Sequence, residues 1–106
     1  MKNIPAELLE EIVRKLKEGL NPDKIILFGS HAYGKPNEDS DIDLLIVIPE
    51  SDEPGYRRDR KAYRCLRGMT APTELVVVTR QEVEEASKVP VSLINQAVQR
   101  GKVLYE

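Results

Sequence analysis

Asp41-Ile42-Asp43 runs without a break into Leu44-Leu45-Ile46-Val47-Ile48, and Pro49 stops the run. Five consecutive apolar side chains, three of them β-branched, suit a strand covered on both faces and are too few for a helix. Ile25-Ile26-Leu27-Phe28 and Leu75-Val76-Val77-Val78 repeat that pattern. Strands of this kind need helices on both sides of one sheet, so a chain of 106 residues reads as one small α/β domain over residues 1–106, a mixed sheet flanked by helices.

The remaining segments supply those helices. Pro5 is expected at a first helical position, and Leu8, Leu9, Ile12, Val13 and Leu16 follow at helical spacing, with Gly19 and Asn21-Pro22 as the stop. Ser30 to Gly34 reads as a turn or short helix, and Tyr56 to Leu66 as a longer one. Thr79-Arg80-Gln81-Glu82 is a capping box opening a helix that should end near Val89-Pro90. Ser92 caps a last helix through Arg100, and Val103-Leu104-Tyr105 is a short edge strand. About two dozen residues join the second and third strands, enough for a parallel, right-handed crossover. The first and second strands are joined by a shorter excursion, which length alone allows in either direction.

Several functions are excluded early. Cys65 and His31 are the only cysteine and histidine, so neither a Cys- or His-based zinc site nor a His-rich catalytic centre is available. A net charge of -2 argues against a general polyanion binder, so nucleic acid is not the favoured partner. MKNIPAELLEEIVRKL is too charged for a signal peptide, and no apolar run approaches membrane-spanning length; no membrane association and a cytoplasmic location are the expectations.

The acids carry the chemistry. Asp41 and Asp43, two strand steps or about 6.6 Å apart, share a face and repel by about 2.5 kcal/mol at an effective dielectric near 20. A cation must offset that. If the second and third strands are parallel neighbours, Glu74 reaches the same sheet edge; if the first strand is antiparallel to the second, Gly29-Ser30 reaches it too. Hard oxygen ligands suit two magnesium ions, or manganese, rather than zinc. Such ions can clamp a phosphoryl group, while Gly29 and Ser30 offer close backbone approach and donors to a triphosphate. The implied reaction is nucleotidyl transfer with pyrophosphate leaving.

Gly29-Ser30, ten intervening residues and Asp41-Ile42-Asp43 resemble the signature of the DNA-polymerase-β-like nucleotidyltransferase superfamily. Phe28-Gly29-Ser30, Ala32, Gly34 and Ser40-Asp41-Ile42-Asp43-Leu44 are similar to its minimal nucleotidyltransferase (MNT) branch, and the likeness continues through PTELVVVT to GKVLYE. The resemblance implies a polymerase-β-like fold, with Asp41 and Asp43 binding both metals, Glu74 binding the nucleophile-side metal, and Gly29-Ser30 binding the nucleotide. It further implies an MntA-type antitoxin that moves AMP from ATP onto a tyrosine of a HEPN toxin. Tyr33 stands where the family often has Arg, and Glu74 where Asp is more usual. Those departures sustain a second expectation, an antitoxin that neutralises its partner by contact with little or no catalysis.

Each feature also has a plainer explanation. Asp41 and Asp43 could be a solvated strand entrance, and Glu74 a solvent-facing strand start. An EF-hand over Asp39, Asp41, Asp43 and Glu50 fails because Leu44 occupies the position that needs glycine. Ser30 can cap a helix and bind phosphate at the same time, His31 suits a surface or nucleotide contact, and Lys35 a solvated loop. Residues 56–67 hold six cations against Asp59, a net +5 that leaves -7 elsewhere. That helix is either a solvated face or a dock for an acidic partner or RNA.

Overall fold

Alternation along the strands sorts the apolar side chains into two cores, one on each face of the sheet. The computed structural model describes residues 1–106. In chain order the elements are α1 (Ala6–Leu20), β1 (Lys24–Phe28), α2 (Ser30–Tyr33), β2 (Ile42–Ile48), α3 (Gly55–Cys65), β3 (Thr73–Thr79), α4 (Arg80–Ala86), α5 (Leu93–Arg100) and β4 (Lys102–Tyr105). Ile25, Leu27, Ile42, Leu44, Ile46, Leu75 and Val77 face α1 and α3, where Ile12, Leu16, Ala62 and Leu66 complete the first core. Ile26, Phe28, Leu45, Val47 and Val78 face the other way and pack with Ala97, beside Tyr33, Val83, Ile94 and Val98. Each fully buried Leu or Ile contributes roughly 1.5–3 kcal/mol, so the doubly covered β2 anchors the domain.

The four strands lie in the order β3-β2-β1-β4. β2 and β3 are parallel and joined through α3, while β1 is antiparallel to both β2 and β4. The direction left open by sequence is therefore settled, and the sheet is mixed, as expected. Both outer strands are sheet edges, yet they are treated differently. The outer N–H groups of β3 are satisfied by side chains: Leu75 N–H donates to Tyr63 Oη (3.0 Å), Val77 N–H to Asp59 Oδ1 (2.8 Å) and Thr79 N–H to Glu82 Oε1 (2.8 Å). Closing an edge in this way removes a template for strand addition.

Local expectations are mostly met, with four differences. Pro5 is the cap of α1 rather than its first residue. Gly19 lies inside α1, which runs on to the other expected stop, Asn21, whose φ of 47° lets its N–H reach Lys17 O. A Cβ at Gly19 would lie 2.3 Å from Cys65 Sγ, so this glycine serves the close crossing of α1 and α3. β3 begins two residues before Leu75, since pairing with β2 carries Thr73 and Glu74 into the ladder. α4 stops at Ala86, because Ser87, Lys88 and Val89 turn back onto Glu84, Glu85 and Ala86 carbonyls with three-residue spacing.

Candidate active site

Phe28, Asp43 and Glu74 are direct cross-strand neighbours: β1 register pairs Phe28 with Asp43, and β3 register pairs Asp43 with Glu74. Asp43 lies two residues before Leu45, and Glu74 two before Val76, so both carboxylates emerge on the second-core face beside Phe28. The chain continues from Phe28 straight into Gly29-Ser30 at the start of α2. Gly29 has φ 74° and ψ -153°, a region open essentially only to glycine. A Cβ there would lie 2.1 Å from Asp43 Oδ2, so the missing side chain is what leaves the carboxylate uncovered.

Asp41 is exposed, one residue outside β2, between two fixed points. Ile42 N–H donates to Pro72 O, and the amino group of Met1 donates to the Ser40 and Glu38 carbonyls. Asp39 N–H donates to Asn37 Oδ1, closing the preceding turn. The loop that delivers Asp41 is thus tied down by backbone and side-chain contacts alike.

Electrostatics mark Asp43 as the centre of the group. Its carboxyl is pushed up from about 3.8 to about 6, first by burial, then by the charges of Glu74 and Asp41, with His31 opposing. A hydrogen-bond contact with Glu74 adds to the rise. None of the six ion pairs of the domain includes Asp41, Asp43 or Glu74, so no Lys or Arg neutralises them. Like-charged carboxylates held together without a Lys or Arg ion pair form an environment that a divalent cation relieves. No three His, Cys, Asp or Glu side chains converge into a ready-made metal cage. Magnesium does not need one: it keeps several waters and is held by one or two carboxylates together with substrate phosphates. The donor set therefore fits such ions.

Sequence reasoning missed two features around this group, and a third at the far end of β3. His31 faces Asp43 electrostatically, and its Nε2 is buried without a hydrogen-bond partner. Tyr33 is covered by the Arg100 guanidinium, 4.3 Å from the ring centroid, so α5 brings a cation to the end of α2 that lacks the family's arginine. Arg58, 8% exposed, forms a two-point ion pair with Glu82, the same residue that completes the Thr79 capping box. Only the capping box was visible as a pattern; the other contacts join residues that no local rule relates. The larger clefts of the domain, along α1 and Leu104 and between Pro49–Asp52 and α4, are not lined by Asp41, Asp43 or Glu74.

Residues 7–104 match the family model described as "Nucleotidyltransferase domain". Two proteins of Methanocaldococcus jannaschii are similar over part of the chain. One, named "Putative protein adenylyltransferase MJ1379", is 38% identical over 52 residues, which is 45% of this chain and 52% of that protein. The other, "Putative protein adenylyltransferase MJ0141", is 45% identical over 47 residues, 44% of this chain and 46% of that protein. The chain thus spans about half the length of the curated relatives it matches. With the mixed sheet, the Gly-Ser turn over Asp43 and a family match across nearly its whole length, the chain belongs to the nucleotidyltransferase domain family.

Proposed function

We propose that this domain transfers a nucleoside monophosphate, AMP from ATP, onto a hydroxyl of a partner protein. On this reading the partner is a HEPN toxin, the acceptor one of its tyrosines, and the chain its antitoxin. The observation that carries the proposal is Asp43 set beside Glu74 on one sheet face, without a Lys or Arg ion-pair partner and uncovered by Gly29.

Asp41, Asp43 and Glu74 would hold the magnesium ions, with manganese as a substitute of similar preference. When bound, such ions polarise the phosphoryl oxygens and neutralise charge that develops during in-line displacement. The chain's own contribution is positional. Gly29 admits the triphosphate tail close to the backbone, and the first N–H groups of α2 with the Ser30 hydroxyl supply donors to it. The acceptor hydroxyl oxygen joins the α-phosphorus as its proton passes to water, the bond from that phosphorus to the α–β bridging oxygen breaks, and pyrophosphate leaves with the bonding pair. The names of the Methanocaldococcus jannaschii proteins support a protein acceptor.

The test supplies magnesium and ATP labelled on the α-phosphate to the chain with its co-purified partner. The partner gains AMP, and Asp43→Asn abolishes labelling while the complex stays intact. Unchanged neutralisation of the partner by that variant favours the contact-only antitoxin. Label in a non-protein fraction favours a small molecule or RNA end as acceptor.

A further inference from the structure

We propose that the outer face of α3 is the docking surface for the acceptor protein, and that it takes an acidic helix of that protein. The role as an acceptor dock rests on the transfer reading above; the surface and its preference for carboxylates do not.

Residues 56–67 hold six cations and one acid, and the fold sorts them. Arg58 is buried against Glu82, Lys61 meets Glu53, and Asp59 is engaged by the Val77 N–H. Arg57, Arg60, Arg64 and Arg67 remain exposed and take part in no ion pair. At 3.6 residues per turn, Arg57, Arg60 and Arg64 fall within an arc of about 60°, with Tyr56 and Tyr63 along its flank. Those tyrosines are 62% and 44% exposed, and the Arg60 guanidinium already lies 5.9 Å from the Tyr56 ring centroid. Arg57 and Arg64 are about 10 Å apart along the helix axis, the spacing of carboxylates two turns apart on a facing helix.

The stripe runs toward the same end of the sheet as the site, although α3 covers the first-core face and the carboxylates emerge on the other. Asp59 reaches Val77 and Tyr63 reaches Leu75, so α3 runs antiparallel to β3 and its C-terminal end lies toward Glu74. Because α3 side chains close the β3 edge, a partner cannot add a strand there and must dock through side chains. Arginine and tyrosine dominate the stripe, the residue types that anchor protein interfaces. Single-stranded nucleic acid instead follows a continuous basic groove along its backbone. Here the basic stretch is short and the rest of the chain carries -7, including Asp41, Asp43 and Glu74 at its end. A phosphodiester running past α3 would be repelled; a folded protein presents its carboxylates only where the arginines are.

The experiment uses a fluorescent alanine-based peptide of about 20 residues, long enough to hold a helix, with glutamates along one face and a terminal tyrosine. Anisotropy is read at about 50 and about 300 mM salt, beside a labelled single-stranded oligouridylate. The peptide binds the native chain and Asp43→Asn equally, and binding weakens at least tenfold in Arg57→Ala/Arg60→Ala/Arg64→Ala, whose fold is verified by circular dichroism. Failure of the peptide to bind, binding indifferent to the triple substitution, or tighter oligouridylate binding through the same arginines overturns the proposal. Adding magnesium and α-labelled ATP separates the two readings: bound but unlabelled peptide counts against transfer alone, and labelling indifferent to the arginines counts against docking alone.

Discussion

Asp43→Asn should make the metal-free protein more stable while destroying its activity, and the size of that gain follows from the site. The Asp43 carboxyl rises from about 3.8 to about 6 on folding, so its ionised form is less welcome in the folded state than in the unfolded chain. At about 1.36 kcal/mol per pKa unit the ceiling is near 3 kcal/mol; solvent screening of a half-exposed group reduces this to about 1–1.5 kcal/mol. Asparagine keeps the shape, removes the repulsion from Glu74 and Asp41, and offers Glu74 an N–H donor. In chelator at pH 8 the variant should melt roughly 5 °C or more above the native chain, as expected for a domain of about 100 residues. The advantage must depend on pH. Above about 6 the penalty on the native chain is fully present; it shrinks as pH falls through about 6 and is gone below about 3.8, where both states carry the proton. Thermal melts of the two proteins from pH 8 to pH 4 read the difference directly. An advantage that is absent at pH 8, or unchanged across the range, refutes the assignment of Asp43 as the strained centre.

Gly29→Ala should cost about 2–3 kcal/mol in denaturant unfolding, since it combines a glycine-only backbone region with a Cβ 2.1 Å from Asp43 Oδ2. Activity should be lost even under conditions where the variant is folded. Glu82→Gln should destabilise by about 2 kcal/mol at pH 7, below the usual cost of stranding a buried charge because Glu82 is 44% exposed. Hydrogen bonding to Arg58 holds the Glu82 carboxyl down at about 2, so its contribution is present above about 4.5 and lost as pH falls toward 2. Acid titration of stability should accordingly be flatter in that range for the glutamine variant. Tyr63→Phe should cost about 1 kcal/mol by freeing the Leu75 N–H. Combined with Asp59→Ala it should promote self-association, detectable by light scattering, by reopening the β3 edge.

What could be read from sequence was whatever a local rule encodes. The three apolar runs, the Thr79–Glu82 capping box and the Ser92 cap all depend on neighbours within a few residues, and all are found. Asp41 and Asp43 were legible because two carboxylates against an apolar strand need an explanation wherever they occur. Glu74 was legible only conditionally: its place beside Asp43 depends on parallel pairing across a crossover, which sequence permits and the register decides. Gly19 misled because a glycine near a helix end looks like a stop signal, whereas its purpose is contact with Cys65 on another helix. The Arg58–Glu82 pair and the Asp59–Val77 bond were invisible for the same reason, spanning 24 and 18 residues with no periodic signal. Counting residues 56–67 as a net charge also hid that two cations and the one acid were already committed to the fold.

The contacts that were hidden explain how the visible site persists. Repulsion between Asp43 and Glu74 acts directly across the β2–β3 ladder and favours any movement that separates them. A slip of one residue would achieve that, because it would turn Glu74 to the opposite face along with every apolar side chain of β3. Two hydrogen bonds oppose the slip from outside the β2–β3 ladder itself, both to α3: Leu75 N–H to Tyr63 Oη and Val77 N–H to Asp59 Oδ1. At about 1 kcal/mol each they together exceed the whole screened penalty of about 1–1.5 kcal/mol on Asp43, of which repulsion by Glu74 is only a part, before any contribution from Leu75 and Val77 in the core. Edge closure by α3 therefore acts as a register lock for the carboxylate pair. The same helix that holds the β3 register, and with it Glu74 beside Asp43, presents three unpaired arginines on its outer side, so the proposed docking surface and the geometry of the site are carried by one element.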